Sequence, residues 1–98
     1  MPKAYWVVSY QSVKNPDALQ AYAKLAGPAI QAAGGRFVVR GTPIKTMEAG
    51  ISQRTVVIEF DSLDKALGAY DSPGYQEALK ALGAGNVTRD MRVVEGAA

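Results

Sequence analysis

Apolar and polar positions along this chain fall into two periods. Ala4 to Tyr10 is a run of valine and aromatics. Arg36 to Arg40, Gln53 to Phe60 and Val87 to Glu95 are similar short runs, and each reads as a strand. Between the first two, Leu19, Tyr22, Ala23, Ala26, Ile30 and Ala33 recur at helical spacing. That helix has a start signal: Asn15 can cap free N–H groups, Pro16 suits the first helical position, and Asp17 favours the positive end of the dipole. Gly34-Gly35 closes it, and Pro28 inside it predicts a kink or a break. After the third strand, Asp61 or Ser62 caps a helix carrying Leu63, Ala66, Leu67 and Tyr70. Ser72-Pro73 restarts it with Tyr75, Ala78, Leu79 and Leu82, and Gly83 and Gly85 end it. Residues 41–50 alternate Ile44, Thr46 and Glu48 with Lys45, Met47 and Ala49, which predicts a protruding hairpin arm. Glu48 and Arg54 are placed to pair across it.

The resulting order, β-α-β-β-α-β over residues 1–98, is the split βαβ or ferredoxin-like arrangement: an α+β fold with a four-stranded antiparallel sheet and both helices on one face. The opposite face is then open. Side chains alternate along strands, so Val56, Ile58 and Phe60 should meet the helices, with Thr55, Val57 and Glu59 on the open side. By the same logic Phe37 and Val39 should face the helices, and Arg36, Val38 and Arg40 the open side. The predicted open face mixes Val7, Val38, Val57 and Val94 with Tyr5, Ser9, Arg40, Glu59, Asp90 and Arg92. Four valines are too many for a face left in water, and six polar groups too many for a dry core. A sheet-to-sheet homodimer enclosing a partly polar cavity satisfies both. The alternative is a structural interface in which Arg40–Glu59 and Asp90–Arg92 pair and no ligand enters.

Composition narrows the chemistry. At 98 residues the chain is of single-domain size, with a high surface-to-volume ratio, and 48 % hydrophobic and 20 % charged residues are ordinary for a folded protein. The formal charge of +2 is small and its Lys and Arg residues are scattered, which argues against a nucleic-acid or membrane surface. The absence of Cys excludes thiolate zinc sites and cysteine nucleophiles. The absence of His removes the commonest metal ligand and general base. No metal or cofactor is expected. Met1-Pro2-Lys3 leads straight into a strand and no apolar run approaches a membrane span, so a cytoplasmic protein is expected.

Tyr5-Trp6-Val7, Tyr22, Gly27-Pro28, Gly34-Gly35-Arg36-Phe37 with Arg40-Gly41, Glu48, Val57-Ile58-Glu59-Phe60, Ser72-Pro73-Gly74-Tyr75-Gln76 and Val93-Val94-Glu95-Gly96 carry a resemblance over nearly the whole length. The chain resembles the domain-of-unknown-function family 1330, in the dimeric α+β barrel superfamily. Such sequences often carry an Arg after the Tyr-Gln segment, where this chain has Leu82-Gly83. The resemblance implies a ferredoxin-like protomer and a dimer whose sheets close into a barrel, and no settled activity. Relatives by fold include cofactor-independent monooxygenases, lactone isomerases and haem-degrading proteins, and the lack of His weakens the haem route.

Two functions follow from the predicted open face. In an enzyme acting on a small aromatic or organic acid, Glu59 would be the acid or base, its pKa raised among valines. Arg40 would hold or polarise an anionic oxygen. Tyr5, Ser9 and Arg92 would contact the substrate, with Val38 and Val57 as apolar wall. In a non-catalytic dimer the same residues would bind such an acid unchanged. RNA recognition is not expected, because Arg36, Val38 and Arg40 stand where stacking aromatics are needed.

Overall fold

The computed structural model describes residues 2–97. The strands are β1 (Ala4–Val13), β2 (Arg36–Gly41), β3 (Thr55–Phe60) and β4 (Val87–Glu95); the helices are α1 (Pro16–Ala32), α2 (Leu63–Asp71) and α3 (Pro73–Leu82). The sheet is antiparallel in the order β2-β3-β1-β4, which is the ferredoxin-like order. Along β1 and β3 alternate side chains are buried: Ala4, Trp6, Val8 and Tyr10 from one, Val56, Ile58 and Phe60 from the other. They pack with Tyr22, Ala26 and Ile30 of α1, Ala66 and Ala69 of α2, and Tyr75, Ala78 and Leu82 of α3 in one core. The faces expected for these two strands are the faces observed.

The helix starts follow the capping chemistry. Asn15 Oδ1 accepts from the Ala18 N–H at 3.2 Å, and Pro16 occupies the first turn. Ser62, not Asp61, caps α2. Ser72 Oγ donates to the Ala69 carbonyl at 2.7 Å and accepts from the Tyr75 N–H, so one side chain closes α2 and opens α3. The break expected at Pro28 does not occur, for α1 runs unbroken from Pro16 to Ala32. Pro28 and Lys24 are both exposed, so the Lys24 carbonyl freed by the proline is on the side of water. Gly34, at φ 97°, turns the chain out of α1.

Two expectations fail at the β2 end. Residues 42–54 form no hairpin: they carry no strand, only a turn around Glu48, which has φ 53°, and a Gly50 N–H bond to the Met47 carbonyl. Alternation in sequence needs a partner strand to become structure, and Pro43 supplies no N–H for one. No ion pair joins Glu48 and Arg54 among the described residues. The second failure is a β-bulge in β2. Phe37 stands opposite Ile58 but Val39 stands opposite Val57, so Val38 and Val39 share one partner. Every residue after the bulge changes face. Val39 therefore joins the open face, and Arg40, opposite Val56, moves to the helix side.

Candidate functional site

The open face carries most of the residues proposed from sequence, in a different arrangement. Tyr5 and Glu59 are cross-strand partners, and Tyr5 Oη donates to Glu59 Oε2 at 2.9 Å. The guanidinium on Glu59 belongs to Arg36, not Arg40: Arg36 Nη2 donates to Glu59 Oε1 at 2.9 Å and to Asp61 Oδ1 at 2.9 Å. Lys3 reaches the same Asp61 oxygen at 3.4 Å. Asp90 and Arg92 pair at 3.0–3.1 Å, as in the alternative structural-interface reading. Val7 and Val57 lie opposite one another, half-buried; Ser9 is exposed, and Val38, Val39 and Val94 are about half exposed.

The raised pKa expected of Glu59 is not found. Arg36 and the Tyr5 hydroxyl hold its carboxyl below the usual range, outweighing partial burial. Asp61 is lowered likewise by Arg36 and Lys3. Because these folded pKa values lie below the unfolded ones, the stabilisation is present above the ordinary carboxylate range and is lost as pH falls through the lowered values. The melting temperature should hold from pH 7 to about 5 and fall below about pH 4. Arg36→Met should flatten part of that acid decline. Identical pH profiles for the two proteins would contradict the assignment.

A different constellation lies on the helix side of the sheet. A cleft between α1 and the sheet is lined by Trp6, Val8, Phe37, Ile30, Val56 and Ile58, with Ala26 and Gly27 of α1 above them. It holds about 460 Å³ of empty space with its mouth included. Its size suits a small molecule. Its charged lining consists of Arg40, Arg54 and Arg89, with no carboxylate. None of the three arginines has an acidic partner within 4.0 Å among the described residues. Arg40 lies over the Phe37 ring, 4.6 Å from its centre. Arg54 enters from the residue before β3, its carbonyl held by the Tyr10 N–H at 2.9 Å.

Arg89 is half-buried and surrounded by phenols. Its Nη1 donates to Tyr22 Oη at 3.1 Å and, at 3.5 Å, to Tyr10 Oη; its Nη2 donates to Tyr75 Oη at 3.0 Å. Tyr22 and Tyr75 share a hydroxyl–hydroxyl bond of 2.7 Å. Burial works against the Arg89 charge, but the tyrosines raise its pKa, so it stays a cation. Burial also raises the Tyr75 and Tyr10 hydroxyls, which therefore keep their protons. The cleft's charged groups and hydroxyls are thus hydrogen-bond donors facing apolar walls.

Of the residues proposed from sequence, Arg40 alone lines this cleft; Tyr5, Ser9, Val38, Val57, Glu59 and Arg92 do not. Arg54 and Arg89 were missed. The signal for Arg89 is the alternation of β4, since it stands between and in phase with Val87 and Met91, which pack on the core. Among the described residues no group of three His, Cys, Asp or Glu side chains is placed to hold a metal ion, and no helix is long and apolar enough to cross a membrane.

Comparisons with known proteins agree with this architecture. A protein of unknown function from Rhodopseudomonas palustris superposes with a TM-score of 0.73 at 18 % identity, over 99 % of this chain and 84 % of that one. A dimeric ferredoxin-like protein of unknown function from Thermobifida fusca gives 0.64 at 16 % identity, over 96 % and 91 %. SnoaB, a cofactor-independent oxygenase from Streptomyces nogalater, gives 0.62 at 15 % identity, over 100 % and 96 %. At such identities the likeness establishes the fold alone. No curated protein matches the chain. The sequence pattern of a family described as "Domain of unknown function (DUF1330)" matches residues 3–97, and the chain belongs to that family.

Proposed function

We propose that this protein is a homodimer, joined through its open sheet faces, in which each protomer binds a small apolar organic acid in the cleft between α1 and the sheet. The observation that carries the reading is the gathering of Arg40, Arg54 and Arg89 around an apolar cleft with no carboxylate to neutralise them. Like charges converge at a cost, and an anionic ligand offsets it while the apolar walls cover its body. This moves the ligand from a space between two sheets to the opposite face of the sheet. The dimer is supported by the exposed Val38, Val39 and Val94 beside Val7 and Val57, and by the dimeric state of the Thermobifida protein.

The test is a titration of the protein with benzoate and with benzyl alcohol, which has the same ring and no charge. Benzoate should raise the melting temperature and benzyl alcohol should not. Arg54→Met should weaken benzoate by about tenfold, the loss of one charged hydrogen bond. Equal effects of the two compounds, or none from either, would overturn the acid site. A catalytic reading of the same cleft has one observation in its favour, the likeness to SnoaB, a cofactor-independent oxygenase. It predicts oxygen uptake and a chemically altered acid, where a binder returns the acid unchanged.

A further inference from the structure

The hydroxyl protons of the tyrosine cluster can be placed by counting donors and acceptors. Tyr75 is 0 % exposed. Its Oη has two hydrogen-bond neighbours among the described residues, Tyr22 Oη at 2.7 Å and Arg89 Nη2 at 3.0 Å. A guanidinium donates and never accepts. The Tyr75 proton therefore has a single acceptor, Tyr22 Oη. The opposite assignment, with Tyr22 donating to Tyr75, would leave the Tyr75 proton buried without an acceptor, an arrangement that folded proteins avoid.

The consequence falls on Tyr22. Its oxygen receives one bond from Tyr75 and a second, at 3.1 Å, from Arg89 Nη1. Its own proton has no acceptor among the described residues, and Tyr22, 7 % exposed, is itself buried, so the choice between the two assignments rests on which ring borders the cleft. Tyr22 lines the cleft and Tyr75 does not. Two donors on the oxygen polarise the O–H bond and strengthen it as a donor. Tyr10, also in the cleft lining, receives a long 3.5 Å contact from the same Arg89 nitrogen, and its proton is likewise uncommitted.

We propose that Tyr22 donates its hydroxyl proton in a hydrogen bond to an anionic oxygen of the cleft's ligand, with Tyr75 and Arg89 as the residues that aim it. This rests on the acid-binding reading of the cleft and adds a direction to it. The charged end of the ligand lies at the Tyr10–Tyr22–Arg89 end, with Arg54 beside it. The apolar body extends toward Trp6, Ile30 and Ile58. A ligand class follows: a small carboxylate, enolate or phenolate with an acceptor oxygen at one end, which the guanidinium groups and hydroxyls there can donate to.

The experiment is carbon NMR of the full chain labelled at tyrosine Cζ, in equal parts H₂O and D₂O, with and without benzoate. A slowly exchanging hydroxyl gives two Cζ lines and a rapidly exchanging one gives a single averaged line. Through-space contacts assign the rings, so no variant is required for this part. The expected result is a split line for Tyr75 and an averaged line for Tyr22 in the free protein. Saturating benzoate should shift the Tyr22 line and slow its exchange while leaving Tyr75 split. Tyr22→Phe should then weaken benzoate by about tenfold, and Tyr75→Phe by less than about threefold, because it acts through Tyr22. A split Tyr22 line with an averaged Tyr75 line would overturn the proposal by reversing the protons. Unchanged benzoate affinity in Tyr22→Phe would overturn it by removing the contact. If the free-protein lines are as expected but benzoate moves nothing, the acid-binding reading fails and takes the donor role with it. The line order keeps that outcome distinct from a reversed proton.

Discussion

Gly35→Ala is expected to lower the stability of this protein by about 3 kcal/mol, at the upper end of the range for overpacking a well-filled core. Gly35 is buried where α1 hands over to β2, directly under the sheet. An added Cβ would lie 2.5 Å from Ile30 Cγ2, 2.9 Å from Ile58 Cγ2 and 2.9 Å from Phe60 Cε2. Phe60 and Ile58 are almost wholly buried and cannot step aside without displacing Trp6, whose ring centre is 5.3 Å from that of Phe60. For a domain of this size the cost corresponds to a fall in melting temperature of roughly 12–24 °C. Gly68→Ala is the matched control: it lies in α2 with nothing within 4 Å of the new methyl group, and should be neutral or slightly stabilising. Equal melting temperatures for the two variants would contradict the packing described. The effect reaches the cleft as well, since Ile30 and Ile58 are part of its wall.

If the proposed homodimer forms through the open face, Val57→Asp should convert it to monomer at micromolar concentration, raising its dissociation constant by at least about 100-fold, or roughly 2.7 kcal/mol. Val57 stands at the middle of the open face, opposite Val7 on one side and the Val38–Val39 bulge on the other. In the proposed dimer two-fold symmetry would bring a second copy of the same apolar patch against it, so an aspartate there would be desolvated among valines, while Arg36 and Arg92 on the same face already pair with Glu59 and Asp90. Sedimentation across a concentration series reads the outcome. A variant that sediments as the wild type does would place the subunit contact elsewhere on the surface.

Local chemistry carried much of the fold into view before any coordinates. Asn15 and Ser72 are legible as caps because a short polar side chain before Pro has few other uses, and each caps its helix; between Asp61 and Ser62 the sequence does not choose, and Ser62 is the cap. The alternation of Trp6, Val8 and Tyr10 with Tyr5, Val7 and Ser9 sorts β1 correctly because central strands are held in phase from both sides. The edge strand β2 is held from one side only. Its sequence, Arg36 to Arg40, alternates acceptably in either phase, so nothing local marks the bulge that shifts Val38 and Val39 together. That single inserted residue sends Arg40 through the sheet and leaves Arg36 to partner Glu59. The Glu59 carboxyl was misjudged for a related reason. Its neighbours along the strand are apolar, but its pKa answers to Arg36 and Tyr5 on the strands to either side. The cleft was illegible because it depends on three arginines from three segments, residues 40, 54 and 89, that only the sheet order brings together.

The most direct test of the account is native mass spectrometry of the gently purified protein, with benzoate added and compared with Arg54→Met. The account predicts the mass of two protomers carrying up to two molecules of the acid, with the acid largely lost from the variant. A monomer that retains no acid, or equal retention by wild type and variant, would contradict it.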